Sequence, residues 1–212
     1  MIDPDYALTA ADAPSGRAFA RNRVSGGSLI GTGIVKDITL GAFSNGATAF
    51  AQDANAPRLG SDVSLNPDAW SFVIAMQQDV DGRDSSLIRS VDLSGTRRLH
   101  IQMSVTSQLI LRDNDTDVRA SATIAQGAPM IGVVTFSTAR GINIFVNGVL
   151  AQSEPTQTDA ITGGADAGAF YFLRQVEGLV GMFDIDLSSA EFAPQRDTIT
   201  GFMMDKYGIS VI

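Results

Sequence analysis

Residues 141–150 read Gly141-Ile142-Asn143-Ile144-Phe145-Val146-Asn147-Gly148-Val149-Leu150. A short β-branched run leads into an Asn-Gly pair, and a second apolar run follows it. Asn and Gly tolerate the positive φ angles that a two-residue type I′ turn requires at both central positions. The stretch therefore predicts a β-hairpin and, with it, an antiparallel sheet.

Similar short apolar or alternating runs recur from about Ile34 onward, with turn residues between them. They are residues 71–76, 99–105, 109–111, 130–136 and 169–173. In 99–105 the apolar residues, including Val105, share one face, whereas His100, Gln102 and Ser104 share the other. Many short strands of this kind are typical of a β-sandwich or barrel with one buried face.

The first 34 residues have a different character. They are rich in Ala, Gly, Ser, Asp and Arg, include Ser25-Gly26-Gly27-Ser28, and show no sustained period. We interpret residues 1–34 as an extended N-terminal arm and residues 35–212 as one domain. The arm either follows the surface of its own domain or docks onto a neighbouring subunit.

A helix is predicted near the C-terminus. Ser188-Ser189-Ala190-Glu191 has the spacing of a capping box, and Pro194 is expected to interrupt the helical turn that follows. A second helical segment is predicted from about Asp197 to Lys206, with Gly208 as its stop. Its predicted buried stripe consists of Ile199, Phe202, Met203 and Met204.

Composition excludes several functional classes. The 212 residues are 44% hydrophobic and 18% charged, which favours a folded domain. A net charge of −8 disfavours nucleic-acid binding, and the absence of cysteine excludes disulfide scaffolds, Cys-ligated metal sites and thiol nucleophiles. No apolar run is long enough to insert into a membrane, and the acidic start lacks the pattern of a signal peptide.

Three segments in order, 65–74, 133–148 and 178–209, resemble the concanavalin A-like lectin/glucanase superfamily. Within it, the chain is similar to the laminin-G-like jelly rolls of bacterial and bacteriophage surface proteins. The closing pattern is carried by Leu187-Ser188-Ser189-Ala190-Glu191 and Asp205-Lys206-Tyr207-Gly208-Ile209. The resemblance covers about residues 40–210 and implies an all-β sandwich of two antiparallel sheets with a short C-terminal helix. The N-terminal arm has no counterpart in it.

Catalysis is not predicted. Asp184 and Asp186 lie two residues apart, on one face of the predicted last strand, but the glycosidases of this superfamily use glutamates there with a third carboxyl close behind. The next acid, Glu191, belongs to the predicted helix cap. The resemblance implies that an acid at Asp186 ends the strand in the non-catalytic members.

A serine hydrolase is also disfavoured. His100 is the single histidine of the chain, and no Gly-x-Ser-x-Gly motif occurs. We interpret His100 as a solvent-facing residue of an alternating strand, so no catalytic residue is assigned.

Two acidic stretches are candidates for calcium, residues 79–84 and 113–117. Asp113, Asp115 and Asp117 are the first ligands to test, because hard carboxylate oxygens suit calcium and laminin-G-like domains hold calcium at a sandwich rim. The alternative is a solvated turn. No other cofactor is predicted.

A glycan platform needs an exposed aromatic ring near polar groups. Trp70 begins a predicted strand and is expected in the core. Phe170 and Phe172 share a face, which leaves Tyr171 as the outward residue and the candidate ligand-binding residue.

The resulting hypothesis is a non-enzymatic structural or adhesion protein on the surface of a bacteriophage virion, as a capsid decoration or tail-associated protein. Its partners would be other virion or surface proteins, reached through the N-terminal arm in an oligomeric assembly. The alternative is an extracellular, glycan-binding adhesion module of a bacterial surface, with calcium as an optional ligand. A glycoside hydrolase is the least favoured alternative.

Overall fold

The computed structural model describes residues 2–8, 19–22, 28–32, 40–50, 58–61, 66–78, 85–92, 97–113, 116–161, 167–172 and 176–210. Within these ranges the chain forms sixteen strands followed by one α-helix. This confirms the predicted all-β sandwich with a short C-terminal helix. The described residues contain no helix with both the length and the hydrophobicity to span a bilayer.

The first eight strands are β1 (Ile2–Leu8), β2 (Phe19–Asn22), β3 (Ser28–Thr32), β4 (Leu40–Ala42), β5 (Thr48–Phe50), β6 (Arg58–Ser61), β7 (Ala69–Gln77) and β8 (Ser85–Asp92). The others are β9 (Arg97–Ser104), β10 (Gln108–Asp113), β11 (Asp117–Thr123), β12 (Pro129–Ser137), β13 (Gly141–Val146), β14 (Val149–Glu154), β15 (Ala167–Phe172) and β16 (Val176–Phe183). The helix, α1, is Ala193–Tyr207.

Hydrogen bonding joins the strands in the order β11-β10-β9-β8-β15-β6-β3-β2-β1-β16-β7-β12-β13-β14, and β5 attaches the β4–β5 hairpin to β16. The pairings are antiparallel. We call β16, β7, β12, β13 and β14 the front sheet, and β15, β8, β9, β10 and β11 the back sheet.

The main hydrophobic core contains apolar side chains of both sheets. Trp70, Phe72 and Phe136 of the front sheet belong to the same buried cluster as Ile88, Leu99 and Ile101 of the back sheet. Trp70 is fully buried and stacks on Phe136, with 5.5 Å between the ring centroids. The predicted core position of Trp70 is therefore observed.

A second core covers the other face of the front sheet. Val73 and Ala75 of β7 pack there with Met203, Met204 and Tyr207 of α1. Because successive residues of a strand point to opposite faces, β7 is apolar on both sides and reads as a nearly continuous hydrophobic run.

The structure has the predicted hairpin at residues 141–150. Asn147 and Gly148 both have positive φ, at 49° and 82°. The Asn147 side chain accepts a hydrogen bond from the Ile131 amide at 2.8 Å, which attaches the turn to β12. In the stretch 99–105, by contrast, the strand ends at Ser104, and Val105 is exposed in the following turn.

The N-terminal segment contributes strands to the sheet of its own chain. β1 pairs with β16 and β2, and β3 pairs with β2 and β6. The sequence pattern did not predict these strands, because backbone pairing can recruit an extended segment that has no alternating apolar residues.

The helix differs from its prediction in where it begins and in how its N-terminus is capped. It begins at Ala193, so Pro194 lies in the first turn, where its missing N–H leaves no hydrogen bond unmade. No side chain caps the N-terminus, because the N-cap residue is Phe192, which has no side-chain acceptor; Ser188 lies four residues before it and donates to the Asp186 carboxylate. The predicted capping box is therefore wrong, whereas Gly208 has the predicted left-handed conformation, with φ 59°.

The predicted buried stripe of the helix is partly wrong. Met203 and Met204 are buried, but Phe202 is 49% exposed. Thr200 and Tyr207 complete the buried face instead. Which residues of the helix are buried depends on which of its faces packs against the front sheet.

Candidate functional site

A groove of about 550 Å³ lies on the surface of the front sheet, beside the start of α1. We call it the helix-side groove. The β13–β14 hairpin supplies Asn143, Phe145, Leu150 and Ser153 to its lining. Asn143 pairs with Ser153, and Phe145 with Leu150, so the four residues lie on adjacent positions of one sheet face.

Other segments supply the rest of the lining. Arg140 precedes β13, Ser188 lies in the turn after β16, and Arg196 lies in the first part of α1. Arg140 is adjacent to the hairpin, but Ser188 and Arg196 are distant from it in sequence. The groove therefore exists only because the second core packs the helix against the front sheet.

Asp186 fastens two of these segments together. It is 4% exposed, and its carboxylate accepts hydrogen bonds from Ser137 Oγ and Arg140 Nε, both at 2.9 Å. The backbone amide and the hydroxyl of Ser188 donate to its other oxygen. Ser188 Oγ in turn accepts from Asn143 Nδ2 at 3.1 Å. This network fixes Arg140 and Ser188 relative to the floor of the groove.

Asp186 is held in its ionised form. Burial alone raises the pKa of this carboxyl group, but the hydrogen bonds from Ser188, Arg140 and Ser137 outweigh burial and lower the pKa below its ordinary value. The Arg140 guanidinium therefore keeps a charged partner throughout the neutral range.

Arg196 covers the aromatic ring of the groove. Its guanidinium carbon lies 4.3 Å from the centroid of the Phe145 ring, a cation–π arrangement. Arg196 also donates from Nε and Nη2 to Asp197 Oδ1, at 3.0 and 2.8 Å. The groove thus combines guanidinium, amide and hydroxyl groups with an apolar surface, which suits a ligand that carries several oxygen atoms.

Tyr171, the residue predicted from sequence, lies elsewhere. Its backbone in β15 pairs with Arg89 of the back sheet, and its side chain lies outside the described residues. Arg89 pairs with His100, and His100 with Arg112, so a basic row crosses three strands. Arg89 and His100 are only 6% and 5% exposed, which makes this row far less accessible than the groove.

His100 lies on the polar face of its strand, as predicted, but it does not face solvent. Its Nε2 lies 2.7 Å from Ser86 Oγ, and the ring is buried. The expectation of a solvent-facing histidine is wrong because alternation determines which face a residue occupies and not whether other parts of the chain cover that face.

The structure places the predicted calcium ligands at the β10–β11 turn. Asp113 ends β10 and forms an ion pair with Arg119, at 3.2 Å between Oδ2 and Nη1. Asp117 begins β11 and is exposed, whereas Asp115 and residues 79–84 lie outside the described residues. Among the described residues, no three acidic or histidine side chains converge as a metal site would require.

The two predicted strand carboxylates are not on a strand. β16 ends at Phe183, and Asp184 and Asp186 lie in the turn that follows. Asp184 is exposed and Asp186 is buried, so the expected shared face is wrong. Once the strand ends, period-two alternation no longer governs the positions of the side chains.

The residues of the groove were not identified from the sequence. Asn143 carried a usable signal, since a polar residue between Ile142 and Ile144 must lie on the opposite face from those two. Arg140 and Arg196 carried none. They are single arginines in separate segments, and only the tertiary structure shows that they share a groove.

No protein-family model and no characterised protein sequence matches this chain. Similar solved structures include a binding domain of botulinum neurotoxin DC in complex with SialylT, with a TM-score of 0.60 at 8% identity, covering 94% of this chain and 52% of that one. A botulinum neurotoxin type C structure, described as interacting with two ganglioside molecules, has a TM-score of 0.58 at 11% identity, with the same coverages of 94% and 52%.

A Trypanosoma rangeli sialidase in complex with a difluoro-KDN has a TM-score of 0.50 at 12% identity and covers 87% of this chain and 29% of the sialidase. The chain thus spans about half the length of the neurotoxin domains and under a third of the enzyme. At these identities the shared property is the fold: this chain has the β-rich sandwich that those proteins contain.

Proposed function

We propose that this protein is a non-enzymatic adhesion module, a jelly roll of the concanavalin A-like type, that binds carbohydrate in the helix-side groove. The groove itself carries the proposal. Its volume of about 550 Å³ falls within the roughly 300–1,000 Å³ typical of small-molecule sites. Its polar groups are fixed by the Asp186 network before any ligand arrives, which lowers the entropic cost of binding.

The structural neighbours support the ligand class. A neurotoxin binding domain with this sandwich is in complex with SialylT, and another neurotoxin interacts with two ganglioside molecules. Trp70 is fully buried in the main core, so polar groups and aliphatic surface would contribute more than this ring to the contact with a sugar.

The absence of turnover is part of the proposal. Both oxygens of Asp186 already accept hydrogen bonds from Ser137, Arg140 and Ser188. A low pKa also makes this carboxyl a poor general acid. Incubation of the wild-type protein with the oligosaccharides that it binds should release no new reducing ends. Release by the wild type that is abolished in Asp186→Asn would contradict the proposal.

The binding test uses a groove-filling variant. The purified protein is screened on a glycan array, beside Ser153→Trp and Val149→Trp. Both residues are exposed on β14, but only Ser153 lines the groove. We expect Ser153→Trp to lose binding and Val149→Trp to retain it. Absence of binding by the parent protein to any glycan, or equal binding by both variants, would contradict the proposal.

The particle or surface that carries this module is predicted from the sequence alone. We propose a surface component of a bacteriophage virion, with a bacterial-surface adhesin as the alternative. Mass spectrometry of purified particles tests the first possibility directly, since a virion component must co-purify at a fixed copy number per particle.

A further inference from the structure

We infer that the helix-side groove takes an acidic glycan, whose carboxylate or sulfate group accepts hydrogen bonds from Arg140 and Arg196. This inference rests on the proposed function and adds the chemical class of the ligand. It follows from how the two guanidinium groups are held and from the composition of the lining.

Arg140 is fixed at one edge and open at the other. Its Nε donates to the buried Asp186 carboxylate at 2.9 Å, yet its side chain is 52% exposed. In the described part of the chain, the Nη groups of Arg140 make no hydrogen bond. A planar guanidinium that is anchored through Nε presents its Nη groups as a preformed fork, which matches the oxygens of a carboxylate or sulfate.

Arg196, in the first part of α1, is held in a similar way. Stacking over Phe145 holds the plane of its guanidinium, and Asp197 binds Nε and Nη2. The side chain is 14% exposed, so little mobility remains to be lost on binding. Each guanidinium already pairs with an aspartate, but both are ordered before a ligand enters, so hydrogen bonds from their remaining N–H groups to an anion cost little conformational entropy.

The lining favours an acceptor over a donor. Of its nine residues two are arginine and none is acidic, whereas the whole protein has a net charge of −8. Asp186 and Asp197 bind the guanidinium groups but are not part of the lining. Guanidinium groups only donate hydrogen bonds. An ionised carboxylate or sulfate only accepts them and so matches the two arginines better than a sugar hydroxyl, whose proton needs a different partner.

The experiment measures binding by isothermal titration calorimetry on the full chain. The ligands are three oligosaccharides of equal length: neutral, with a uronic carboxylate, and with a sulfate ester. The proteins are wild type, Leu150→Glu, Leu150→Gln, Val105→Glu and Arg196→Gln. Leu150 lines the groove and is 51% exposed, and Val105 is 50% exposed in the β9–β10 turn, so these variants are expected to fold.

We expect an acidic oligosaccharide to bind at least about tenfold more tightly than the neutral one, because hydrogen bonds to charged groups are the stronger kind. Leu150→Glu should weaken acidic binding about tenfold relative to Leu150→Gln, which has nearly the same shape without the charge. Val105→Glu carries the same net charge as Leu150→Glu and should bind like wild type. Arg196→Gln should weaken acidic binding more than neutral binding. Whichever of the two acidic oligosaccharides binds more tightly shows whether the groove prefers a carboxylate or a sulfate group.

Equal affinity for neutral and acidic ligands, or equal acidic binding by Leu150→Glu and Leu150→Gln, would overturn the inference and leave the proposed function intact. Binding of no oligosaccharide by the wild type would overturn the proposed function as well. The two failures are therefore distinguishable.

Discussion

Asp186 shows, at the scale of one residue, how a buried charge organises a surface site. Its carboxylate receives hydrogen bonds from Ser137 and Arg140 at the β12–β13 turn and from Ser188 two residues further along its own turn. Burying a charge destabilises the folded state unless the charge is fully paired. Here the groups that pair with it, Arg140 and Ser188, are thereby held in fixed positions. The groove depends on this residue although Asp186 does not line it.

Replacing Asp186 by Asn should lower the free energy of unfolding at pH 7 by about 1–3 kcal/mol, since an amide cannot accept all the bonds that the carboxylate accepts. The measurement is urea denaturation. Asp184→Asn is the matched control, because Asp184 is exposed and, among the described residues, receives a single long bond, 3.4 Å from the Asn66 amide. Equal stability of the two variants would contradict the role given to Asp186.

The lowered pKa of Asp186 also predicts how the stability of the protein depends on pH. The pKa of Asp186 in the folded protein lies below that of an unfolded aspartate, so its contribution is complete above the unfolded value and is lost as the pH falls through the folded value. The stability difference between wild type and Asp186→Asn should therefore be constant from pH 7 to about pH 5 and shrink below about pH 4. A difference that persists undiminished at pH 2 would contradict the assignment.

At the scale of the element, Gly178 determines how α1 docks. The Tyr207 ring occupies the space beside this glycine, and the Tyr207 hydroxyl accepts a hydrogen bond from the Leu179 amide at 2.6 Å. A Cβ at position 178 would lie 2.6 Å from Tyr207 Cζ and 2.9 Å from the Ala75 Cβ. The absence of a side chain in β16 is thus what lets the last turn of the helix reach the sheet.

Gly178→Ala should lower the free energy of unfolding by about 1–3 kcal/mol, because neither the buried tyrosine nor the strand can move away freely. Gly201→Ala is the control. Gly201 lies within α1 with nothing within 4 Å of the added Cβ, so this change should raise stability by roughly 0.5–1 kcal/mol through helix propensity. Thermal denaturation of both variants checks the opposite signs; a tolerated Gly178→Ala would show that the helix docks more loosely.

At the scale of the whole molecule, Arg119 closes the edge where the two sheets end. β11 and β14 are the last strands at the two ends of the hydrogen-bonded path, and they contact each other. Arg119 of β11 pairs with Asp113 and donates from Nε to Gln157 Oε1 at 2.6 Å, and from Nη2 to the Asp159 carbonyl. This guanidinium, whose side chain is 9% exposed, thus ties the back sheet to the segment that follows the front sheet.

Arg119→Met keeps the length and apolar stem of the side chain and removes these bonds. We expect the free energy of unfolding to fall by about 1–3 kcal/mol, since the Asp113–Arg119 ion pair lies in a mostly buried position and is lost. Amide hydrogen exchange should accelerate in residues 155–161 and stay unchanged in β7, at the centre of the front sheet. Uniform acceleration throughout the chain would contradict a local closing role.

The elements that could be predicted are those whose signals are local. The Asn147-Gly148 turn, the strand around Trp70 and the Gly208 helix stop each depend on a backbone preference or on an apolar pattern within a few residues. The capping-box prediction failed because the helix begins only at Ala193, with Phe192 as its N-cap, so Ser188 lies before the helix and donates to Asp186 instead. The prediction that Phe202 is buried was wrong because helical periodicity does not show which face of a helix will pack against the sheet.

The amino-acid sequence by itself determined an all-β chain with a C-terminal helix and an acidic, cysteine-free composition, since alternation, turn residues and charge are properties of neighbouring residues. Only the tertiary structure decided where the candidate groove lies. Arg140 and Asn143 lie at the start of the β13–β14 hairpin, Ser188 and Arg196 lie about fifty residues later, and packing of the helix onto the front sheet brings the two regions to one groove. No local pattern encodes that arrangement, because it depends on contacts between residues far apart along the chain.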